Sequence, residues 1–399
     1  MNFMQVGIGF NTQPDHTKAA KEAVNCALAA IERRRADLAF LFGTEEFIRP
    51  FTLKTITEHL GGIPILGLTT PGLMLNRGIS RNGILAVLFS LPEEMYFNTA
   101  CARDILSKTA LSAGEKLGEE LLYGCKGIHR SLSIMFSEGY IPDGQDVALG
   151  LQERIGRSFP LVGASISGHN NRDIKNASLF YCGASLNNAA CGVLFAGKMN
   201  FGLGVRCGWQ ALGKPREITA SSGNTVYEIN GRPAAELYRE YFAKDTLSLD
   251  REINGLLRLY PLGIEVSGED KYLVRTVSSI QSDDSIIFNG DMPQGNRVRL
   301  MIGSKDACLE DTREAAQTAL KELKGQKAKL ILIFNSLARA KLLSHHRNME
   351  IEIIKGVFGG DAPIAGIYTS AEQAPLSGSE YLGKNYFNNN SICVLAIAS

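Results

Sequence analysis

The chain has 399 residues, enough for two or three domains, and 45% of them are hydrophobic, enough for a sizeable packed core. Lys and Arg number 42 against 41 Asp and Glu, so no excess of positive charge marks a nucleic-acid surface. The eight cysteines are scattered, with no C-x-x-C pair and no zinc-ligand spacing; no apolar run reaches the ~18 residues of a membrane span, and the first residues, Met1–Gln5, carry neither a basic n-region nor a cleavable apolar segment. These features predict a cytoplasmic protein in a reducing compartment, with no membrane span, no metal and no cofactor.

In chain order, Val6–Phe10 reads as a strand and residues 16–35 as an Ala/Leu-rich helix. The continuous apolar run Leu38–Phe42 reads as a strand covered on both faces. A less regular helix at 50–60 leads into Ile63-Pro64-Ile65-Leu66-Gly67-Leu68-Thr69-Thr70-Pro71-Gly72, and Ile84–Phe89 closes the series. The same series recurs with a strand at 95–98, a helix at 105–123, a strand at 132–136, a helix at 145–156, the phrase Phe159–Gly168 and a strand at 192–195. It recurs again at 298–302, 311–324, 330–334 and 340–355, then in the phrase Ala362–Ala371 and at 392–397. In each phrase a proline opens a short apolar strand, a glycine follows three residues later, and a Gly, Gly or Ala stands five residues beyond it. Asp311 is placed to cap the third unit's first helix.

This pattern predicts a mixed α/β fold of three repeated β-α-β-α-β-β units, at residues 3–92, 93–198 and 297–399. Residues 199–296 break the pattern. Within them Val226–Asn230 reads as a strand, Asn230-Gly231 as a turn, Pro233 as the first turn of a helix, and Tyr272–Val277 as alternating antiparallel strand. This stretch reads as a β-rich insertion between the second and third units. The chain divides into an N-terminal region, 1–225, and a C-terminal region, 226–399, whose β-rich bridge runs to 296.

The run from Pro363 to Pro375, Pro-Ile-Ala-Gly-Ile-Tyr-Thr-Ser-Ala-Glu-Gln-Ala-Pro, resembles the P-I-A-G-F-Y-T-x-G-E-x-A-P signature of FIST C-terminal domains. Gly208-Trp209, Ile218-Thr219 and Glu228–Ala234 resemble the junction between FIST N- and C-terminal domains. Gly67–Gly72 resembles the G-x-T-T-x-G of the N-terminal domain. The resemblance implies a sensory input module of bacterial signal transduction that binds a small ligand such as an amino acid. With no output domain in the chain, it also implies a partner such as a kinase or cyclase. Two departures stand out: Ala371 replaces the signature glycine, and Phe334-Asn335-Ser336-Leu337-Ala338-Arg339 lacks the Cys and Gly of the family's F-S-C-N-G-R while keeping its arginine.

Ligands of α/β sheets favour crevices beyond the carboxyl ends of the strands. That directs attention to the loops at 43–49, 69–76, 137–144, 165–173, 335–340 and 368–376. An amino-acid-like ligand needs a cation for its carboxylate and a carboxylate for its ammonium, which nominates Arg339 and Glu372, with Tyr368, Thr369 and Asn335 lining the site. When the three phrases are aligned, the position after the Gly/Gly/Ala holds Leu73, His169 and Glu372. His169 and Ser165 extend the candidate set. The competing readings are that Arg339 and Glu372 form a structural ion pair or face solvent, and that His169 caps a turn.

Enzyme motifs fail. Gly7-Ile8-Gly9 lacks the third glycine of a dinucleotide fingerprint, and Gly163-Ala164-Ser165-Ile166-Ser167 ends in Ser where a nucleophile elbow needs Gly. Glu138 and Asp143 are more simply solvent-facing loop charges than a catalytic pair. With those motifs absent, the resemblance implies a non-catalytic sensor. The alternatives are a hydrolase or transferase acting on a small polar metabolite, and a scaffold for a signalling partner.

Overall fold

Each Pro/Gly phrase folds as a strand running parallel to the apolar strand before it. The computed structural model describes residues 3–32, 35–105, 109–138, 141–166, 177–242, 257–376 and 384–398. The fold is mixed α/β, as the pattern predicts. The first unit comprises β1 (Gln5–Asn11), α1 (His16–Ala29), β2 (Leu38–Gly43), α2 (Pro50–His59), β3 (Ile65–Thr69), the hairpin β4 (Leu73–Leu75) and β5 (Gly78–Ser80), and β6 (Ile84–Ser90). The second comprises β7 (Tyr96–Ala102), α3 (Ala110–Tyr123), β8 (Arg130–Glu138), α4 (Ile141–Ile155), β9 (Leu161–Ile166), the hairpin β10 (Leu179–Tyr181) and β11 (Ala184–Leu186), and β12 (Ala189–Ala196).

The third series opens with β13 (Asn200–Arg206) and is then interrupted. The interruption contains β14 (Trp209–Ser222), β15 (Thr225–Ile229), β16 (Arg232–Pro233), α5 (Ala234–Phe242), β17 (Leu262–Glu265), β18 (Tyr272–Arg275), β19 (Val277–Ile280), β20 (Ile286–Phe288) and β21 (Arg297–Gly303). These strands form one eight-stranded sheet. The series resumes with α6 (Lys305–Glu322), β22 (Leu330–Ser336), α7 (Leu337–Leu343), α8 (Asn348–Phe358), β23 (Ile364–Thr369), β24 (Ala371–Ala374), β25 (Tyr386–Asn388) and β26 (Ile392–Ala398).

Three six-stranded sheets result, with the orders β1-β6-β2-β3-β10-β11, β7-β12-β8-β9-β24-β25 and β13-β26-β22-β23-β4-β5. Each sheet places the opening strand of a unit beside its closing strand, then the two parallel strands, then a short hairpin. The hairpin always belongs to a different unit. The second unit's hairpin completes the first sheet, the third unit's completes the second, and the first unit's completes the third. The exchange is cyclic.

Two expectations need correction. The strand expected at 298–302 forms as β21, but it pairs with β14 and β17; β13 takes the opening place of the third sheet. The insertion therefore lies inside the third series, between its first strand and first helix. The sequence carried a signal for this. A side chain at Gly202 or Gly204 would meet the carbonyl oxygens of Ala319 or Ala315 on α6 at 1.9 Å, just as one at Gly7 or Gly9 would meet α1 at 1.9 or 1.8 Å. The paired glycines let the opening strand lie against its helix, and Gly202-Leu203-Gly204 is the twin of Gly7-Ile8-Gly9. The second correction concerns α6, which begins at Lys305, with Ser304 capping it through Ala307 N at 3.1 Å. Asp311, expected as the cap, instead accepts from Gly208 N at 2.6 Å.

The recurring phrase glycine has a physical cause. Gly67, Gly163 and Gly366 pair with Leu41, Met135 and Ile333 of the neighbouring parallel strand. An added Cβ would lie 1.8, 2.3 and 3.0 Å from the carbonyl oxygens of those residues. The three sheets share one apolar core on their inner faces. At its centre Phe136 of β8 contacts Phe42 of β2 at 5.5 Å and Phe334 of β22 at 5.9 Å, both edge-to-face. Among the described residues, no helix is long and apolar enough to cross a membrane.

Candidate functional site

The carboxyl ends of the strands meet where the second sheet, the third sheet and the insertion touch. Equivalent phrase residues are joined to a neighbouring unit here. Thr69 N donates to Ser178 O at 3.0 Å, Ser370 N to Ser165 O at 2.8 Å and Tyr368 N to Gly72 O at 3.0 Å. Thr70 Oγ1 also donates to Tyr368 O at 2.8 Å.

On the helix-facing side, corresponding positions are furnished differently. In the first sheet they hold Gly43 and Thr69, with Phe180 arriving from the hairpin. In the second they hold Ser137 and Ser165, with Gln373 arriving. The two serine hydroxyls are hydrogen-bonded to each other, and Gln373 Nε2 donates to Ser165 Oγ at 2.5 Å. In the third sheet they hold Asn335 and Tyr368, with Met74 arriving.

Behind Asn335 lies a fully buried ion pair. Arg339 of α7 reaches Glu350 of α8 at 2.8 Å, and both side chains are closed to solvent. The remaining guanidinium donors go to Cys207 O at 2.9 Å, Cys308 O at 2.8 Å and Thr312 Oγ1 at 2.8 Å. Asn335 Nδ2 donates to the second Glu350 oxygen at 2.7 Å. Arg339 thus binds the chain at the two points where the insertion leaves and rejoins. The ion-pair partner of Arg339 is Glu350, not Glu372.

Glu372 occupies the opposite face of β24 from Gln373, as strand alternation requires. Its carboxyl group accepts from Thr369 Oγ1 and Ser391 Oγ, each at 2.5 Å, and from Ser391 N at 3.3 Å. Burial pushes its pKa up to about 7, and the hydrogen bonds from Ser391 and Thr369 oppose the rise. A carboxyl with a raised folded-state pKa binds its proton more tightly folded than unfolded. Its contribution to stability is full below the ordinary value of about 4.5, declines as pH rises toward about 7, and is constant beyond. Glu372→Gln removes this loss. Urea titrations from pH 4.5 to pH 8 should therefore find the variant gaining about 3 kcal/mol on the wild type. A gap that does not change with pH would refute the assignment.

The connection from β25 to β26 crosses between the second and third sheets as Asn388-Asn389-Asn390-Ser391, all buried. The insertion grips it. Thr276 N donates to Asn389 Oδ1 at 3.1 Å, Thr276 Oγ1 to Asn390 Oδ1 at 2.7 Å, and Arg275 Nη1 to Phe387 O at 2.8 Å. Sequence reasoning passed over this asparagine run, and Gln373 and Ser137 too, although three consecutive asparagines before an apolar strand are a visible oddity.

Of the nominated residues, Arg339, Glu372, Tyr368, Thr369, Asn335 and Ser165 all lie at this seam, all buried. His169 lies outside the described residues. Arg339, Asn335, Tyr368 and Ser165 belong to the helix-facing side, Thr369 and Glu372 to the other. Glu138 accepts from Asn188 N at 2.5 Å, and burial raises its pKa to about 7; the side chain of Asp143 lies outside the described residues. The seam also gathers five of the eight buried side-chain atoms that lack a hydrogen-bond partner among the described residues: Asn335 Oδ1, Tyr368 OH, Gln373 Oε1, Asn389 Nδ2 and Asn390 Nδ2. A cleft of ≈ 540 Å³ lined by Glu265, Glu269 and Lys271 lies on the insertion and contains none of them.

Residues 37–232 match the FIST N domain and residues 234–375 the FIST C domain. The chain belongs to the FIST family. FIST domains are associated with sensing and signalling. The chain is 20% identical over 323 residues to an uncharacterized protein of Methanocaldococcus jannaschii, a match covering 75% of this chain and 59% of that protein. The FIST chain thus spans less than two thirds of that relative's length. Among solved structures it is similar to cyanuric acid hydrolase from A. caulinodans, at 8% identity over 99% of both chains with a TM-score of 0.41. It is also similar to T. maritima PurL complexed with FGAR, at 11% identity over 99% of this chain and 73% of that one, with a TM-score of 0.22. Scores of that size transfer no chemistry.

Proposed function

We propose that this FIST protein is a cytoplasmic sensor that binds a small polar ligand of the amino-acid class at the seam and relays the event, without catalysis, to a signalling partner such as a kinase or cyclase. The observation that carries this reading is that five buried polar atoms on the elements of the seam have no hydrogen-bond partner among the described residues. Tyr368 OH, Asn389 Nδ2 and Asn390 Nδ2 supply donors, and Asn335 Oδ1 and Gln373 Oε1 supply acceptors. Buried polar groups are normally paired, and a concentration of exceptions calls for a partner that completes them. A molecule carrying both ammonium and carboxylate presents the complementary donors and acceptors.

The seam joins two sheets and the insertion, so a ligand that fits one arrangement of the three better than another shifts their populations. The eight cysteines are free, which suits a reducing compartment. The test is a thermal-shift screen of amino acids against the whole chain. A ligand at one hundred times its Kd adds about 2.7 kcal/mol of stability, a rise of several degrees. Gln373→Ala and Asn390→Ala should each reduce that rise. Absence of a shift with every amino acid at millimolar concentration would sink the reading.

A further inference from the structure

Three cysteines from separate stretches lie near another seam, between the first and second sheets, close enough that charge on Cys182 acts on both Cys101 and Cys191. Cys101 of β7 and Cys191 of β12 are directly paired across the second sheet. Cys182 begins the two-residue turn of the β10–β11 hairpin, with Tyr181 paired to Ala184 and with φ values of 47° at Cys182 and 82° at Gly183. The first position of such a turn favours Asn, Asp or Gly, so backbone preference does not account for a cysteine there. Cys182 N donates to Ile65 O at 2.9 Å, fixing the turn on the first sheet. Its neighbour Tyr181 hydrogen-bonds through its hydroxyl to Thr99 at 3.3 Å, and Thr99 shares a face of β7 with Cys101. On the other side the Cys191 thiol donates to Phe180 O at 3.8 Å. Cys182 is exposed, Cys101 half-buried and Cys191 buried.

We propose that Cys182 and Cys101 form a peroxide-responsive dithiol that closes to a disulfide. The exposed Cys182 sulfur, as thiolate, attacks one oxygen of hydrogen peroxide. An S–O bond forms, the O–O bond breaks, and the departing hydroxide takes up a proton to leave as water. The Cys101 sulfur then attacks the resulting sulfenic sulfur. An S–S bond forms, the S–O bond breaks, and hydroxide leaves as a second water with the remaining thiol proton. Two sulfurs lose one electron each and the peroxide gains both. Burial pushes the Cys101 thiol up to about 11, and the charge and hydrogen bond of Arg103 oppose the rise only in part, so the second attack is the slower of the two. Cys191 is the nearer partner of Cys101 along the sheet, but it is closed to water, so oxidant meets Cys182 first. The new bond ties the hairpin that completes the first sheet to the opening strand of its own unit.

The experiment treats the full chain with hydrogen peroxide, unfolds it, counts thiols and maps linked peptides by mass spectrometry. Two of the eight thiols should disappear, the linked peptide should join Cys101 to Cys182, and dithiothreitol should restore the full count. Cys182→Ser should keep its remaining thiols through the same treatment. Cys101→Ser should leave a sulfenic acid at Cys182 that dimedone captures. The proposal is overturned if the wild type keeps all its thiols, if the linked peptide joins another pair, or if Cys182→Ser still loses two.

Discussion

Replacing Arg339 by alanine should lower the free energy of unfolding by about 3–5 kcal/mol, read as a shift in the urea midpoint at unchanged slope. The size follows from what would be left behind. Glu350 is fully enclosed, and without the guanidinium its charge would keep, among the described residues, the donors Thr312 and Asn335. The carbonyls of Cys207 and Cys308 would lose the donors that hold the two junctions of the insertion together. Arg339→Met with Glu350→Leu should recover much of the loss, because removing both charges of a buried pair is far milder than stranding one. Equal instability in the single and double variants would show that the pair's charges are not the reason the site matters.

Phe136→Ala should cost about 3–5 kcal/mol. The ring is fully buried and contacts Phe40 and Phe42 of the first sheet and Phe334 of the third. No single sheet can collapse to fill the hole, because its walls belong to three. Phe136→Leu keeps most of the volume and should cost clearly less. A loss below about 1 kcal/mol for the alanine variant would mean that the centre can repack.

The strands of the fold were legible because β2, β8, β22 and their closing partners are continuous apolar runs, which only strands covered on both faces require. The exchanged hairpins were not. Each strand of β4–β5 and β10–β11 is three residues long, too short for a period to register, and their partners lie far away in sequence. The opening strand of the third sheet was missed because β21 precedes α6 directly, while the informative Gly202-Leu203-Gly204 stood nearly a hundred residues earlier. At the seam, residue chemistry picked out Arg339, Glu372, Asn335 and Tyr368, but their partners depend on packing. Glu350 meets Arg339 only because α7 and α8 both pack on α6, and Ser391 meets Glu372 only because the final connection crosses between sheets.

The cyclic exchange of hairpins also has a temporal side. The first unit is synthesised first, yet β4 finds its partner only when Ile364–Thr369 has left the ribosome. Until then its backbone donors and acceptors on that side are unsatisfied, and the nascent chain is an open ring. Contacts of such long sequence separation fold slowly and leave sticky edges exposed meanwhile. Of the three six-stranded sheets, a chain truncated before residue 364 keeps every strand of the first alone and should therefore accumulate as aggregate or chaperone-bound material.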